Sequence, residues 1–338
     1  MLLLGTACNL GRAPAGLATA PGLSARPDGT PVVIFATLRP SPTKPPPTAT
    51  ATPFPSLTPT ITPTFTPSPT PIAVPVCKEA AGQLVDETIN STVSQNASGQ
   101  ATVGYRVYLP PCYTSSQRRY PYVFLFHGVD GDQTEWTDIL GVNQTLDQGI
   151  ANHSLPPMIL IMPSGGLMEY DNYFTDGQSF ESFIVDELLL DVDKRFCTWG
   201  DAAGRAIGGI SRGGFWSYEI GFRHPALFSA IGGHSAFFDP ENAPAAYNPL
   251  NLAQTVIFPP GTQPRLWLDA GPDDSVHPEI DTFAQALTDR HIDPGYTLYP
   301  TGGHTNDYWM SHMAEYLAFY GLHWPRQVND LPTCHHAA

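Results

Sequence analysis

Ser211, His304 and a cluster of aspartates after residue 268 are the residues in this 338-residue chain whose types and spacing could do chemistry together. Ser211 is the centre of Gly209-Ile-Ser211-Arg-Gly213, set after the apolar run "RAIGGIS" (205–211) and before a helical pattern. G-x-S-x-G in that setting is a nucleophile elbow, a sharp strand-to-helix turn that strains the serine backbone and lifts Oγ above the sheet. The flanking glycines let the following helix pass close to the strand without Cβ clashes. A serine at its free pKa is a poor nucleophile and needs a base that can take its proton near neutral pH. His304, in "GGHTNDYW" after the strand-like "GYTLYP", sits between Gly303 and the last helical pattern, where a loop can place it. His153, His224, His291 and His323, among 11 histidines, read as surface or core residues.

A base of this kind needs an acid to hold its tautomer and stabilise its positive form. "LDAGPDDSVHP" supplies Asp269, Asp273 and Asp274 around Gly271. Asp269 falls inside a strand pattern and is the weakest candidate; Asp273 and Asp274 fall in the turn beyond it, and the residues alone leave the choice between them open. An acyl-transfer site also needs two donors aimed at the developing oxyanion. One is the backbone N–H of Arg212, the residue after the serine. The other falls to Val129, in His127-Gly128-Val129 at the end of an early apolar run.

These groups need a scaffold that brings distant segments to one rim. "ATVGYRVYLP" (101–110) alternates like an antiparallel strand and is expected to pair with "GQLVDETINS" before it. Apolar runs too short for helices follow at 122–128, 158–165, 205–211 and 265–271, each ending in glycine or a polar turn. Helical patterns lie between them. The best is "ESFIVDELLLDVDKRF" (181–196), with Phe183, Ile184, Leu188 and Val192 on one face; the last is 306–324. The alternation predicts an α/β fold with a mostly parallel central sheet and helices on both faces. In such sheets reactive groups sit at the carboxyl ends of the strands, which is where the candidate residues fall.

The segments "HGVDGDQTEW", "SFESFIVDELLLDVDKRF", "RAIGGISRGG", "GPDDSV" and "GGHTNDYW" resemble, in that order, the putative-esterase family of α/β-hydrolases. This family includes esterase D, enterochelin esterases, feruloyl esterases and mycolyltransferases. The resemblance covers roughly residues 100–322 and implies an α/β-hydrolase fold. It implies Ser211 as nucleophile, His304 as base, and Asp274, three residues after Gly271, as the acid. It also implies backbone oxyanion donors at Val129 and Arg212, with no metal and no organic cofactor. Arg212 stands where many members have methionine, a departure that bears on the acyl pocket. The activity implied is serine carboxylic-ester hydrolysis of a small-molecule or polymer-borne ester, such as a feruloyl or acetyl ester of plant polysaccharide. Two other readings compete: an acyltransferase with the same triad, and a non-catalytic surface-binding protein on this fold. His127, Tyr170, Tyr173, Phe174 and Trp309 are the candidate substrate-binding residues; aromatics such as Tyr170, Tyr173 and Phe174 more often serve as packing for their loop.

Composition narrows the setting. The chain carries 16 Lys+Arg against 31 Asp+Glu, a formal net charge of −15. That charge repels phosphate backbones and anionic membrane surfaces, so no nucleic-acid partner is expected. Residues 40–75 are dominated by proline and threonine, which build neither helix nor sheet and make a disordered, extended spacer reaching roughly 100 Å. Upstream, "MLLLGTACNL" resembles a bacterial lipobox with Cys8 as the acylated residue, although Gly5 stands where that pattern has a large aliphatic residue. A start placed too far downstream would account for the short apolar stretch. The organisation expected is a leader and unstructured N-terminus over 1–39, the linker over 40–75, and an esterase domain over 76–338. Its expected location is extracellular or cell-surface, as a bacterial lipoprotein with membrane contact only through Cys8. With Cys8 set aside, Cys77, Cys112, Cys197 and Cys334 form an even set and suggest two disulfides in an exported chain. Cys77 with Cys112 is the local pairing, leaving Cys197 to tie down the tail at Cys334. Nothing in the sequence fixes an oligomeric state.

Overall fold

The computed structural model describes residues 77–170, 174–239, 241 and 243–334. Cys8, the leader, the proline–threonine segment, Tyr173 and the side chain of Tyr170 lie outside the described residues.

Eight strands form one sheet: β1 (Gln83–Asn90), β2 (Thr102–Leu109), β3 (Tyr122–Phe126), β4 (Ile159–Pro163), β5 (Arg205–Ile210), β6 (Ala230–His234), β7 (Arg265–Ala270) and β8 (Tyr296–Leu298). Their order is β1-β2-β4-β3-β5-β6-β7-β8. β1, β2 and β4 pair antiparallel, and every pairing from β4 through β8 is parallel. β3, β4, β5 and β6 are buried at every position. A parallel strand covered on both faces must be apolar throughout, which is why "YVFLF" and "ILIMP" read as unbroken runs. Edge strand β1 is half exposed and keeps its polar residues.

Two apolar clusters flank the sheet. Trp216, Phe222 and Phe283 belong to one; Leu146, Met313, Tyr316 and Tyr320 belong to the other. Helices Arg212–Arg223 and His277–Thr288 therefore cover one face, and Val142–Ala151 and Asn306–Tyr320 the other. The pair Gly208-Gly209 serves both faces, because successive side chains on a strand point to opposite sides. A Cβ on Gly209 would fall 2.3 Å from the Gly213 backbone, and one on Gly208 would fall 1.7 Å from the Tyr320 hydroxyl. Strand β6, "AIGGH", escapes a reading by apolar periodicity because Gly232 faces the same tyrosine, 2.3 Å from where its Cβ would lie.

The helical pattern over 181–196 is one continuous helical stretch whose middle, Phe183–Leu188, widens to a π-helix between Phe180–Ser182 and Leu189–Arg195. Phe183, Ile184, Leu188 and Val192 are all buried, as their spacing required. Disulfides join Cys77 to Cys112 and Cys197 to Cys334, the second closing a span of 137 residues. No described helix is long and apolar enough to cross a membrane.

Candidate active site

Strand β5 ends at Ile210 and the helix begins at Arg212, so Ser211 must make the whole turn. It does so at φ 50°, ψ −116°, a left-handed backbone that a residue with a Cβ adopts only under strain. The turn is held by Ser211 N–H donating to the His234 carbonyl (2.9 Å) and by the Ser211 carbonyl accepting from Phe237 N–H (3.0 Å). Oγ is thereby presented at the carboxyl end of the sheet, in the elbow geometry that the glycines implied.

His304 meets it from the loop between β8 and the helix Asn306–Tyr320. Its Nε2 lies 2.8 Å from Ser211 Oγ, and its Nδ1 lies 2.9 Å from Asp274 Oδ1. The Asp274 side chain is fully buried, whereas Asp273 is exposed. Asp273 contributes its backbone instead, its N–H donating to the Gly302 carbonyl at 3.0 Å. This bond ties the acid loop to the histidine loop. Gly271 makes the tie possible, since a Cβ there would sit 2.1 Å from the Gly302 carbonyl oxygen.

Burial pushes the Asp274 carboxyl up, but the His304 imidazole, the nearby Ser235 hydroxyl and the Val276 N–H outweigh it and hold the carboxyl below the usual carboxylate range. Its Oδ2 has no well-formed hydrogen bond of its own. Hence Asp274 stays ionised at neutral pH and fixes the proton of His304 on Nδ1, leaving Nε2 as the acceptor that faces Ser211.

The N–H of Arg212 opens a helix and has no carbonyl four residues back within it. The N–H of Val129, on the loop after β3, likewise meets no protein acceptor among the described residues. That loop lies against the serine, for a Cβ on Gly128 would be 3.7 Å from Ser211 Cβ. Glu135 pins it by accepting from Gly128 N–H at 2.8 Å, and Trp136 Nε1 donates to the Phe126 carbonyl at 3.0 Å. Glu135 and Trp136 lie in the sequence segment "TEW", which shows no periodicity that would have marked them as loop anchors.

The remaining candidates occupy different places. Trp309 is buried, its ring edge-on to His304 at 5.1 Å and its Nε1 donating to Ser235 Oγ at 3.0 Å. Phe174 packs on Phe215, Trp216 and Tyr247 as part of the aromatic layer. His127 is buried at the rim of a small cavity that also takes in Val129 and Arg212. Its Nδ1 lies 2.7 Å from the Gly128 carbonyl and its Nε2 3.0 Å from Glu169 Oε2.

Behind the histidine loop lies a network that the sequence did not announce. His234 Nδ1 meets Asp269 Oδ1 at 2.5 Å, and Asp269 Oδ2 accepts from Tyr308 (2.7 Å) and Tyr316 (3.0 Å). All four are buried, so Asp269 is a satisfied core acid, not the partner of His304. Among the described residues no group of three or more His, Cys, Asp or Glu is arranged to hold a metal ion.

A family model described as "Putative esterase" matches residues 97–320. An esterase of Mycobacterium tuberculosis is 34% identical over 137 residues, 39% of this chain and 28% of the relative. An endo-1,4-beta-xylanase/feruloyl esterase of Xylanibacter ruminicola is 33% identical over 134 residues, 37% of this chain and 18% of the relative. The chain thus aligns with less than a third of either relative's length. A solved ferulic acid esterase superposes with a TM-score of 0.64 at 22% identity, covering 72% of this chain and 99% of that one. That likeness establishes the fold, and the α/β-hydrolase architecture expected from the sequence is the one observed.

Proposed function

The chain belongs to the Putative esterase family, and from that premise we propose that it is a serine carboxylic-ester hydrolase working through Ser211, His304 and Asp274. The observation that carries this reading is the unbroken chain of contacts from Ser211 Oγ to His304 Nε2 (2.8 Å) and from His304 Nδ1 to Asp274 (2.9 Å).

Ser211 Oγ attacks the ester carbonyl carbon as His304 Nε2 takes its proton. Asp274 stabilises the imidazolium so formed. The carbonyl oxygen becomes an oxyanion and receives the N–H groups of Val129 and Arg212. Collapse breaks the bond to the alcohol, which leaves with the proton from His304. Water, deprotonated by the same histidine, then attacks the acyl-serine and releases the acid. Each step uses groups that the fold holds in place, so little reorganisation is needed at the moment of reaction.

The name of the Xylanibacter ruminicola relative supports feruloyl esters of plant polysaccharide as the first substrates to test, with acetyl esters assayed beside them. The two disulfides support a working place outside the reducing cytosol; anchoring through Cys8 would add a surface location. The test is hydrolysis of p-nitrophenyl acetate and butyrate by the wild type and Ser211→Ala. Loss of turnover in a variant with unchanged circular dichroism is expected. Full activity in that variant would remove the assignment. Methyl ferulate and acetylated xylan in the same panel decide the substrate.

A further inference from the structure

The cavity beside the oxyanion donors has a volume of about 140 Å³, and its described lining includes Val129, Ser164, Gly166, Glu169 and Arg212. We propose that this cavity is the acyl site of the esterase and that it selects a short acyl group carrying a hydroxyl, which donates to Glu169 Oε1 and accepts from the Arg212 guanidinium.

The proposal rests on the hydrolase reading above and deepens it. A substrate carbonyl polarised by the Val129 and Arg212 N–H groups has two substituents. The leaving alcohol must stay within reach of His304, which protonates it. The cavity is lined by both oxyanion residues, so it opens beside the carbonyl they would hold, and the acyl group, which need not reach His304, is the substituent assigned to it. Its volume is that of roughly four to five waters at ~30 Å³ each, which limits the acyl chain to a few heavy atoms, so of the esters named above this site admits the short acyl ones and not the feruloyl ones.

The chemistry of the lining sets the rest. Glu169 is 3% exposed, and among the described residues its Oε1 has no hydrogen-bond partner. A buried acceptor left unpaired costs on the order of 1–3 kcal/mol, so a ligand that satisfies it is favoured over one that cannot. Glu169 Oε2 faces His127 Nε2 at 3.0 Å, while His127 Nδ1 is committed to the Gly128 carbonyl at 2.7 Å. One proton is shared between Oε2 and Nε2. Burial pushes the Glu169 carboxyl well above the usual range, against the opposing charge of Arg212, and burial also holds His127 below its own. Both directions place that proton on Glu169, so Oε2 donates to Nε2 and Oε1 is left as a carbonyl-like acceptor.

The donor is Arg212, whose buried side chain lies over the rings of Phe215 (4.5 Å) and Trp216 (5.2 Å) and whose Nη2 donates to the Glu169 backbone carbonyl at 3.3 Å. Burial lowers its pKa to about 10, which leaves it charged at neutral pH. A carboxylate guest would meet the lone pairs of Glu169 Oε1, and a methyl would leave Oε1 without a donor. A hydroxyl, at once donor and acceptor, satisfies the two together.

The test compares ethyl 3-hydroxybutyrate with ethyl butyrate by pH-stat titration, using the whole chain. The expected preference for the hydroxylated ester is about tenfold or more in kcat/KM, as for sites built to bond a substrate hydroxyl. The preference should fall to near one in Glu169→Leu and in Arg212→Met, which keeps the backbone N–H. Equal rates for the two esters in the wild type, or a preference retained in both variants, would overturn the proposal. So would a gain for 2-hydroxyethyl butyrate over ethyl butyrate with none on the acyl side, since the cavity would then serve the alcohol. Failure of the hydrolase reading itself would look different: no turnover of any ester, p-nitrophenyl acetate included.

Discussion

Replacing Asp274 and Asp273 separately with asparagine should give very unequal results, although the two are neighbours. Asp274 is fully buried and 2.9 Å from His304 Nδ1. At that distance an aspartate–imidazolium pair is worth about 5–6 kcal/mol at an effective dielectric of ~20. Asparagine removes the charge, and its amide can turn its NH₂ toward Nδ1. The tautomer so favoured carries its proton on Nε2 and cannot accept one from Ser211. Both effects act on the transition state, so kcat and kcat/KM should fall together with KM little changed. The expected loss is about 10⁴-fold, the size that ~5.5 kcal/mol implies. Asp273 is exposed and works through its backbone N–H, which asparagine keeps. An exposed charge is worth less than about 1 kcal/mol, so Asp273→Asn should stay within about fivefold of wild type. Initial rates on p-nitrophenyl butyrate across a range of concentrations give both parameters. Equal losses at the two positions, or the larger loss at 273, would refute the assignment of the acid.

Two further outcomes concern the scaffold. Glu219 is fully buried, and burial, helped by the negative charge of Glu181, pushes its carboxyl well above 4.5 while Arg223 opposes the shift. The folded chain then binds more protons than the unfolded one as pH rises past about 4.5, so this group's contribution to stability falls with pH. Glu219→Gln removes that slope, and its unfolding free energy relative to wild type should rise from pH 5 to pH 8, by at most about 1.4 kcal/mol per pH unit; parallel stability–pH curves would count against it. Gly209→Ala should cost about 3 kcal/mol by overpacking and lower the calorimetric melting temperature by roughly 6–12 °C, because its Cβ would lie 2.3 Å from the Gly213 backbone; an unchanged transition would show that the strand and helix can part.

The parts of the fold legible in the sequence were those where one physical demand dominates. Strands β3, β4 and β5 are buried on both faces, so hydrophobicity alone marks them. The elbow was legible because a strained serine and a close helix require glycines at 209 and 213. Strand β6 was not, since Gly232 makes room for Tyr320 and the periodic signal is lost. Asp274 and Asp273 could not be separated by residue type. What divides them is burial and the backbone tie to Gly302, which arise only once two loops distant in sequence meet. Glu169 and His234 were silent for the same reason: each matters through a partner many residues away, His127 in one case and Asp269 in the other.

The central claim is that Ser211 is the nucleophile. Treatment with a fluorophosphonate, followed by peptide mass mapping, tests it most directly. A single adduct on Ser211 is expected, forming in step with loss of p-nitrophenyl butyrate hydrolysis and absent from Ser211→Ala. An adduct on a different serine, or an active enzyme that takes up no label, would contradict it.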